Sequence, residues 1–231
     1  MMDRRGHLLL IESASLNCSV GVGCEGAIAG LREESASSFA HAEKLHLFAE
    51  ELIEEIGREK ELWKAVAVSI GPGSYTGLRI GLSLSKGIAY ALDCPLITLS
   101  SLEVLHQTFL LDHPAQRAEV FWPMIDARRM EVYTKCLQSD GQIIREEQAM
   151  ILEEQVPDPA GICFGTGSEK ARELLEAAGC SVFDGPEPSA RGMIKLAEEA
   201  FERAAFADLA YSEPQYLKEF QAGKPKRSKT N

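Results

Sequence analysis

The chain lacks several features that would mark familiar classes of protein. No apolar run reaches the length of a membrane span. Leu8 to Ile11 is too short for a signal-peptide core, and Glu12 interrupts it. Positive charge is in deficit: the formal net charge is −11, which argues against the whole body docking on nucleic acid or an anionic membrane. The six cysteines (18, 24, 94, 136, 163 and 180) contain no Cys-x-x-Cys pair, and several sit in apolar, strand-like runs. They read as small buried hydrophobes in a reducing compartment, so a cytoplasmic protein is expected. There is no Gly-x-Ser-x-Gly elbow and no literal sequence repeat. His41 and His46 are five apart, about 140° around a helix, and cannot chelate one ion.

What is present is enough apolar material, 45% of 231 residues, for a sizeable core in one or two domains. The pattern centres on the stretch from Ser69 to Leu92. Ala65 to Ile70 reads as a buried strand, stopped by Gly71, Pro72 and Gly73, after which Ser74 or Thr76 caps a helix to about Leu92. A strand, a glycine turn and a helix start form a natural anion cradle. The spacing fits neither common phosphate loop. No Lys follows Gly77, and the third glycine is one residue late for the dinucleotide fingerprint.

On that helix only Arg79, Ser83, Lys86 and Tyr90 occupy a polar wedge, leaving an apolar or small arc of roughly 220°. One part carries Ile80, Leu84, Ile88 and Ala91; another carries Gly77, Gly81, Ser85 and Ala89 at a spacing of four. Such an arc is wide enough to bury two sides. Either the helix packs between two layers of its own domain, or it packs on its sheet and on a partner through the small-residue row. Ala42 to Ile56 reads as a strongly amphipathic helix with Ala42, Leu45, Phe48, Ala49, Leu52, Ile53 and Ile56 on one stripe and Leu47 off it.

The remaining elements suggest a duplication. Strands over His7–Glu12, Cys18–Cys24 and Ala27–Glu33 form a first meander, followed by helix, strand, helix and the short strand Pro95–Leu99. A helix over Leu102–Leu111 leads to a second meander, Val120–Ile125, Glu131–Leu137 and Gly141–Arg145. Ile162–Phe164, a helix over Glu169–Ala178, the strand Cys180–Phe183 and a helix over Ser189–Ala205 complete a comparable order. The expected division is an N-terminal domain over 1–100, a C-terminal domain over 101–220 and a basic tail over 221–231 with Lys224, Lys226, Arg227 and Lys229. Asp126, Arg128 and Glu131 form the densest charged cluster in an apolar setting, either contacting a ligand between domains or forming a strand-turn ion network.

Four stretches together resemble one family: Leu9-Leu-Ile-Glu-Ser-Ala-Ser15 with Cys18-Ser-Val20, Gly71-Pro-Gly-Ser-Tyr-Thr-Gly-Leu-Arg-Ile-Gly81, Ile125-Asp-Ala-Arg-Arg-Met-Glu-Val-Tyr133, and Phe164-Gly-Thr-Gly167. Pro214, Tyr216 and Leu217 fit its C-terminal pattern. The chain resembles the TsaB family of bacterial tRNA threonylcarbamoyladenosine biosynthesis proteins over nearly its whole length. The resemblance implies an α/β fold of two duplicated actin-like (ASKHA, ribonuclease H-like) domains, with mixed sheets flanked by helices. It implies a non-catalytic scaffold that supports its paralogue TsaD and the ATPase TsaE in modifying the adenosine beside the anticodon. It further implies no cofactor of its own, ATP used by the partner complex, a heterodimer with TsaD, a homodimer when alone, tRNA contacted through the complex, and no membrane.

The implied partner interface is a bundle of the two N-terminal helices. The residues assigned to it are Leu45, Ala49, Leu52, Ile53, Ile56, Gly77, Leu78, Gly81, Leu82, Ser85 and Ala89. Gly81→Leu or Ser85→Trp should then block assembly and leave the monomer folded. TsaD-like proteins carry a His-x-x-x-His pair where this chain has Ser101 and Leu105; His106 is adjacent without a helical partner. The first strand in the family ends in Asp-Thr, whereas here it ends in Glu12-Ser13. Glu12, Ser13, Asp126 and Arg128 are the candidate nucleotide contacts; no catalytic residue or metal ligand is assigned. The competing reading is an actin-like ATPase or carbamoyltransferase acting alone, resting on the glycine turns and Glu12. A glycopeptidase needs a metal or nucleophile that the sequence does not offer.

Overall fold

The computed structural model describes residues 6–35 and 41–218. The chain forms two five-stranded sheets. In the first, β1 (His7–Glu12), β2 (Asn17–Cys24) and β3 (Ala27–Ser35) make the meander. Helix α1 (His41–Ile56), β4 (Trp63–Gly71), α2 (Tyr75–Leu92) and β5 (Leu96–Ser100) follow. Helix α3 (Ser101–Asp112) leads to β6 (Phe121–Asp126), β7 (Glu131–Leu137), β8 (Ile143–Ile151) and β9 (Ile162–Phe164). Then come α4 (Arg172–Ala177), β10 (Ser181–Phe183) and α5 (Ile194–Glu202).

The strand orders are β3-β2-β1-β4-β5 and β8-β7-β6-β9-β10. In each, the first three strands are antiparallel and the last two join in parallel. Same order and same directions in both halves make the duplication explicit, although it is not visible as a repeat of residues.

Both faces of the first sheet are covered. Leu9, Ile11, Val66 and Val68 pack under α1 and α2. Leu8, Leu10, Ala65 and Ala67, the alternate residues, pack against Ala190, Met193, Ile194 and Ala197. Continuous apolar strands are what two-sided burial requires. Helix α3 lies between the sheets: Val104 joins the first sheet's core, and Leu102, Leu105 and Phe109 join the second's. The boundary placed at 100/101 therefore separates the sheets but not the layers. Residues from Ala190 onward return to the first sheet, because only there is an apolar sheet face left for α5 to cover.

Several elements differ in extent from the sequence reading; the helix expected over Glu169–Ala178 opens as a 3-10 turn over Glu169–Ala171 and is α-helical over Arg172–Ala177. The third strand of the second meander runs to Ile151 instead of Arg145. Its polar run hides a buried function: Glu147 meets the 3% exposed Lys135 at 3.0 Å and accepts from Ser100 Oγ at 2.6 Å, while Glu103 of α3 meets Lys135 at 2.6 Å. The last helix opens as a 3-10 turn over Ala190–Met193 and is α-helical only over Ile194–Glu202. The basic tail, 221–231, lies outside the described residues.

Candidate functional site

An anion cradle at the glycine turn would require free space at the start of α2. Ser74 is extended and its side chain accepts from Gly77 N at 3.2 Å, so it is the N-cap. The turn after β1 then occupies the ground where an anion would sit. Ser74 N donates to Ala14 O at 2.7 Å, and Ser13 Oγ donates to Gly77 O at 2.9 Å. A Cβ on Gly77 would lie 2.1 Å from the Ser13 carbonyl oxygen, and one on Gly81 would lie 2.2 Å from Ser13 Oγ. The helix start is filled by the chain's own backbone.

Within the single chain, most of the residues assigned to the partner interface face inward. Gly77, Gly81, Ser85 and Ala89 are buried against the chain's own sheet, as are Leu78 and Leu82. Leu45, Ala49 and Leu52 of α1 are likewise buried, leaving only Ile53 and Ile56 of the eleven half-exposed. Small residues do permit close approach, but the approach is to the β1 turn and to Val68 of β4. The outward apolar surface is made by the other part of the arc. Ile80, Leu84 and Ile88 of α2 and Phe48, Ile53 and Ile56 of α1 are half-buried, and Leu47, Gly87 and Ala91 are exposed beside them.

The polar wedge of α2 has an occupant that the sequence pattern did not suggest. Residues 207–217 run along it as a strap. Ala207 N donates to Leu96 O at 2.8 Å, Lys86 Nζ to Ala210 O at 3.1 Å and Gln215 N to Ile70 O at 2.7 Å. Tyr216 stacks on Tyr75 with centroids 4.8 Å apart and accepts from Arg79 Nε at 2.9 Å, while Arg79 sits 4.1 Å over the Tyr75 ring. The sequence reads as extended from Tyr211 to Leu217, around Pro214, but does not say where that segment docks.

The four candidate nucleotide contacts fall into two separate pairs. Glu12 is fully buried. Its Oε1 accepts from Ala14 N and Ser69 Oγ, both at 2.7 Å, while Oε2 is buried without a hydrogen-bond partner. Burial pushes its pKa up to about 7, with the Glu187 charge adding to the rise. Ser13 is buried against Gly77. Asp126 and Arg128 are exposed at the β6–β7 turn. There Asp126 pairs with Lys170, its backbone N donates to Thr166 Oγ1 at 3.1 Å, and Glu131 pairs with Lys218. No hydrogen bond or ion pair joins the two pairs among the described residues.

His106 has an architectural role. It is 1% exposed, lies 5.2 Å from the Phe121 ring and 6.5 Å from Phe164, and burial lowers its pKa to about 4. Ser101 and Leu105 are fully buried in α3. Among the described residues no three His, Cys, Asp or Glu side chains could hold a metal together. Nor is any described helix long and apolar enough to cross a membrane.

Two mixed sheets with one shared strand order, each flanked by helices, define a duplicated actin-like α/β protein. The family model TsaD, tRNA N6-adenosine threonylcarbamoyltransferase, matches residues 33–227, and the chain belongs to that family. Within it the likeness runs to the TsaB members. The chain is 28% identical over 223 residues to the Escherichia coli tRNA threonylcarbamoyladenosine biosynthesis protein TsaB, covering 92% of this chain and 94% of that one. It is 39% identical to the Bacillus subtilis TsaB over 98 residues, 40% of this chain and 35% of the relative. The structure of YeaZ from Pseudomonas aeruginosa superposes with a TM-score of 0.80 at 26% identity, covering 92% of this chain and all of that one.

Proposed function

We propose that the chain takes part in forming threonylcarbamoyladenosine in tRNA, as a scaffold subunit without catalysis of its own. Its partners in this reading are a TsaD-like paralogue and a TsaE-like ATPase, with ATP used by the assembled complex, tRNA met through it and the cytoplasm as its location. The observation that carries the reading is the outward face of α1 and α2. Ile80, Leu84, Ile88, Phe48, Ile53 and Ile56 form a half-covered apolar surface on two adjacent helices. A helix pair with such a face suits packing against a similar pair on a related fold. Full-length likeness to TsaB proteins supports the same role. Without the paralogue, the same face serves a homodimer.

The test uses the residues on the outward side of the helix. Gly81→Leu, the change expected from the sequence to be interface-specific, would strike Ser13 inside the chain. Ile80→Asp with Leu84→Asp instead places charge on the half-open side. The double variant should keep its melting temperature within a few degrees and lose co-elution with a co-expressed TsaD-like paralogue, with affinity down at least ~100-fold, or about 2.7 kcal/mol. Unchanged co-elution would remove this face from the proposal. Calorimetry with ATP and magnesium on the isolated chain should show weak binding or none; tight magnesium-dependent binding with turnover would favour the autonomous enzyme.

A further inference from the structure

The β6–β7 turn presents two consecutive arginines in a backbone conformation that suits neither. Arg128 has φ 71° and Arg129 φ 51°, the only adjacent left-handed non-glycine residues among the described residues. Consecutive residues with positive φ are a conformation in which Asn and Gly are at ease and ordinary side chains are strained. The turn is closed by local bonds: Arg128 N donates to Asp126 Oδ1 at 3.0 Å, Ala127 N to Glu131 O at 3.0 Å and Glu131 N to Arg128 O at 3.2 Å. None of these bonds uses a guanidinium.

The surrounding charges leave both guanidinium groups available. Asp126 pairs with Lys170, and Glu131 pairs with Lys218 at the end of the strap. Lys170 Nζ also donates to Glu131 O at 2.6 Å. Leu152 N donates to Met130 O at 2.8 Å, which brings the exposed Glu153 and Glu154 to the flank. Yet no carboxylate among the described residues is within ion-pair distance of Arg128 or Arg129. On a chain with a formal charge of −11, two exposed and adjacent guanidinium groups with no ion pair among the described residues stand out. The half-buried Tyr133 lies on the strand that leaves the turn.

We infer that Arg128 and Arg129 form a fork that contacts phosphodiester groups of an RNA backbone. Guanidinium groups match phosphate oxygens two bonds at a time, and such contacts position a polynucleotide without reading its sequence. The net negative charge of the chain opposes RNA binding, so an exposed pair of guanidinium groups is a local means by which it can still touch RNA. This rests on the proposed role in tRNA modification but fails separately: assembly is read on the α2 variants, RNA contact on this turn.

The informative variant is Arg128→Asn with Arg129→Gly, because it relieves the turn. Its thermal midpoint should equal or exceed that of the parent. Binding of an unmodified tRNA transcript to the full chain, followed over a series of salt concentrations, should weaken at least tenfold. The slope of log K against log salt should become shallower by about 1.5 to 2, as expected for two lost phosphate contacts. Arg128→Lys with Arg129→Lys should retain most of the slope and part of the affinity. An unchanged affinity and slope in the Asn-Gly variant would overturn the inference. So would absence of RNA binding by the parent chain, or displacement of the transcript by equimolar ATP, which would make the turn a nucleotide contact instead.

Discussion

Gly77→Ala is expected to destabilise the chain by about 3 kcal/mol or more, lowering the thermal midpoint by roughly 6–12 °C. The reason is a single distance. The added Cβ would stand 2.1 Å from the Ser13 carbonyl oxygen, which is backbone and cannot rotate aside. Relief requires α2 to lift from the β1 turn, which breaks the Ser13 Oγ bond to Gly77 O and the Ser74 N bond to Ala14 O together. Gly81→Ala meets a side chain instead, Ser13 Oγ at 2.2 Å and Cβ at 3.3 Å. Its penalty should therefore be largely recovered by adding Ser13→Gly, whereas that of Gly77→Ala should not, a difference a double-mutant cycle resolves. Gly87→Ala supplies the control on the same helix. Nothing lies within 4 Å of its added Cβ, so it should be stabilising by about 0.5–1 kcal/mol. Calorimetric melting of the variants decides the matter. If Gly77→Ala melted with the parent, α2 would not be seated on the β1 turn as described.

The same helix shows how far the sequence could be read. Periodicity established that α2 has a broad apolar arc and that Gly77, Gly81, Ser85 and Ala89 share a row. It could not establish which side of the arc faces inward, since small residues signal close approach without naming the approaching element. The answer depended on the turn after β1, 64 residues earlier in the case of Ser13 and Gly77. The order of strands and helices was legible because each is a local pattern. The return of α5 and of the strap to the first sheet was not, because it depends on which sheet face the earlier elements left uncovered. The charge cluster at Asp126 was legible as a cluster. That its carboxylates are taken by Lys170 and Lys218 while Arg128 and Arg129 have no ion pair among the described residues required the fold, since 44 residues separate Asp126 from Lys170 and 87 separate Glu131 from Lys218.

Glu12→Gln should change the pH dependence of stability more than any other single substitution of a carboxylate in the described chain. Glu12 is completely buried, and its pKa rises from 4.5 to about 7. Burial is the main cause; hydrogen bonds from Ala14, Ser69 and Ser13 pull the other way, and Glu187 adds a small rise. An acid raised on folding holds its proton in the native state over a range where the unfolded chain has lost it. Its contribution to stability is therefore intact below about pH 4.5 and is lost as pH climbs to 7, about 3 kcal/mol in all. The glutamine variant keeps an oxygen for Ala14 N and Ser69 Oγ but cannot ionise. Placing an amide where Oε2 lacks a partner costs about 1–3 kcal/mol at every pH. The absolute offset between parent and variant is thus small or unfavourable near pH 5, and moves in the variant's favour by about 3 kcal/mol on going to pH 8. Urea unfolding of both proteins from pH 5 to 8.5 measures that change directly. An offset that does not vary with pH would mean that Glu12 is ionised throughout, and that the end of β1 reaches water or a cation by a route the buried geometry excludes. The offset also bears on the strand end itself. At that strand end Ser69 and the β1 turn supply donors that favour the carboxylate, burial away from water favours the acid, and burial is the larger of the two.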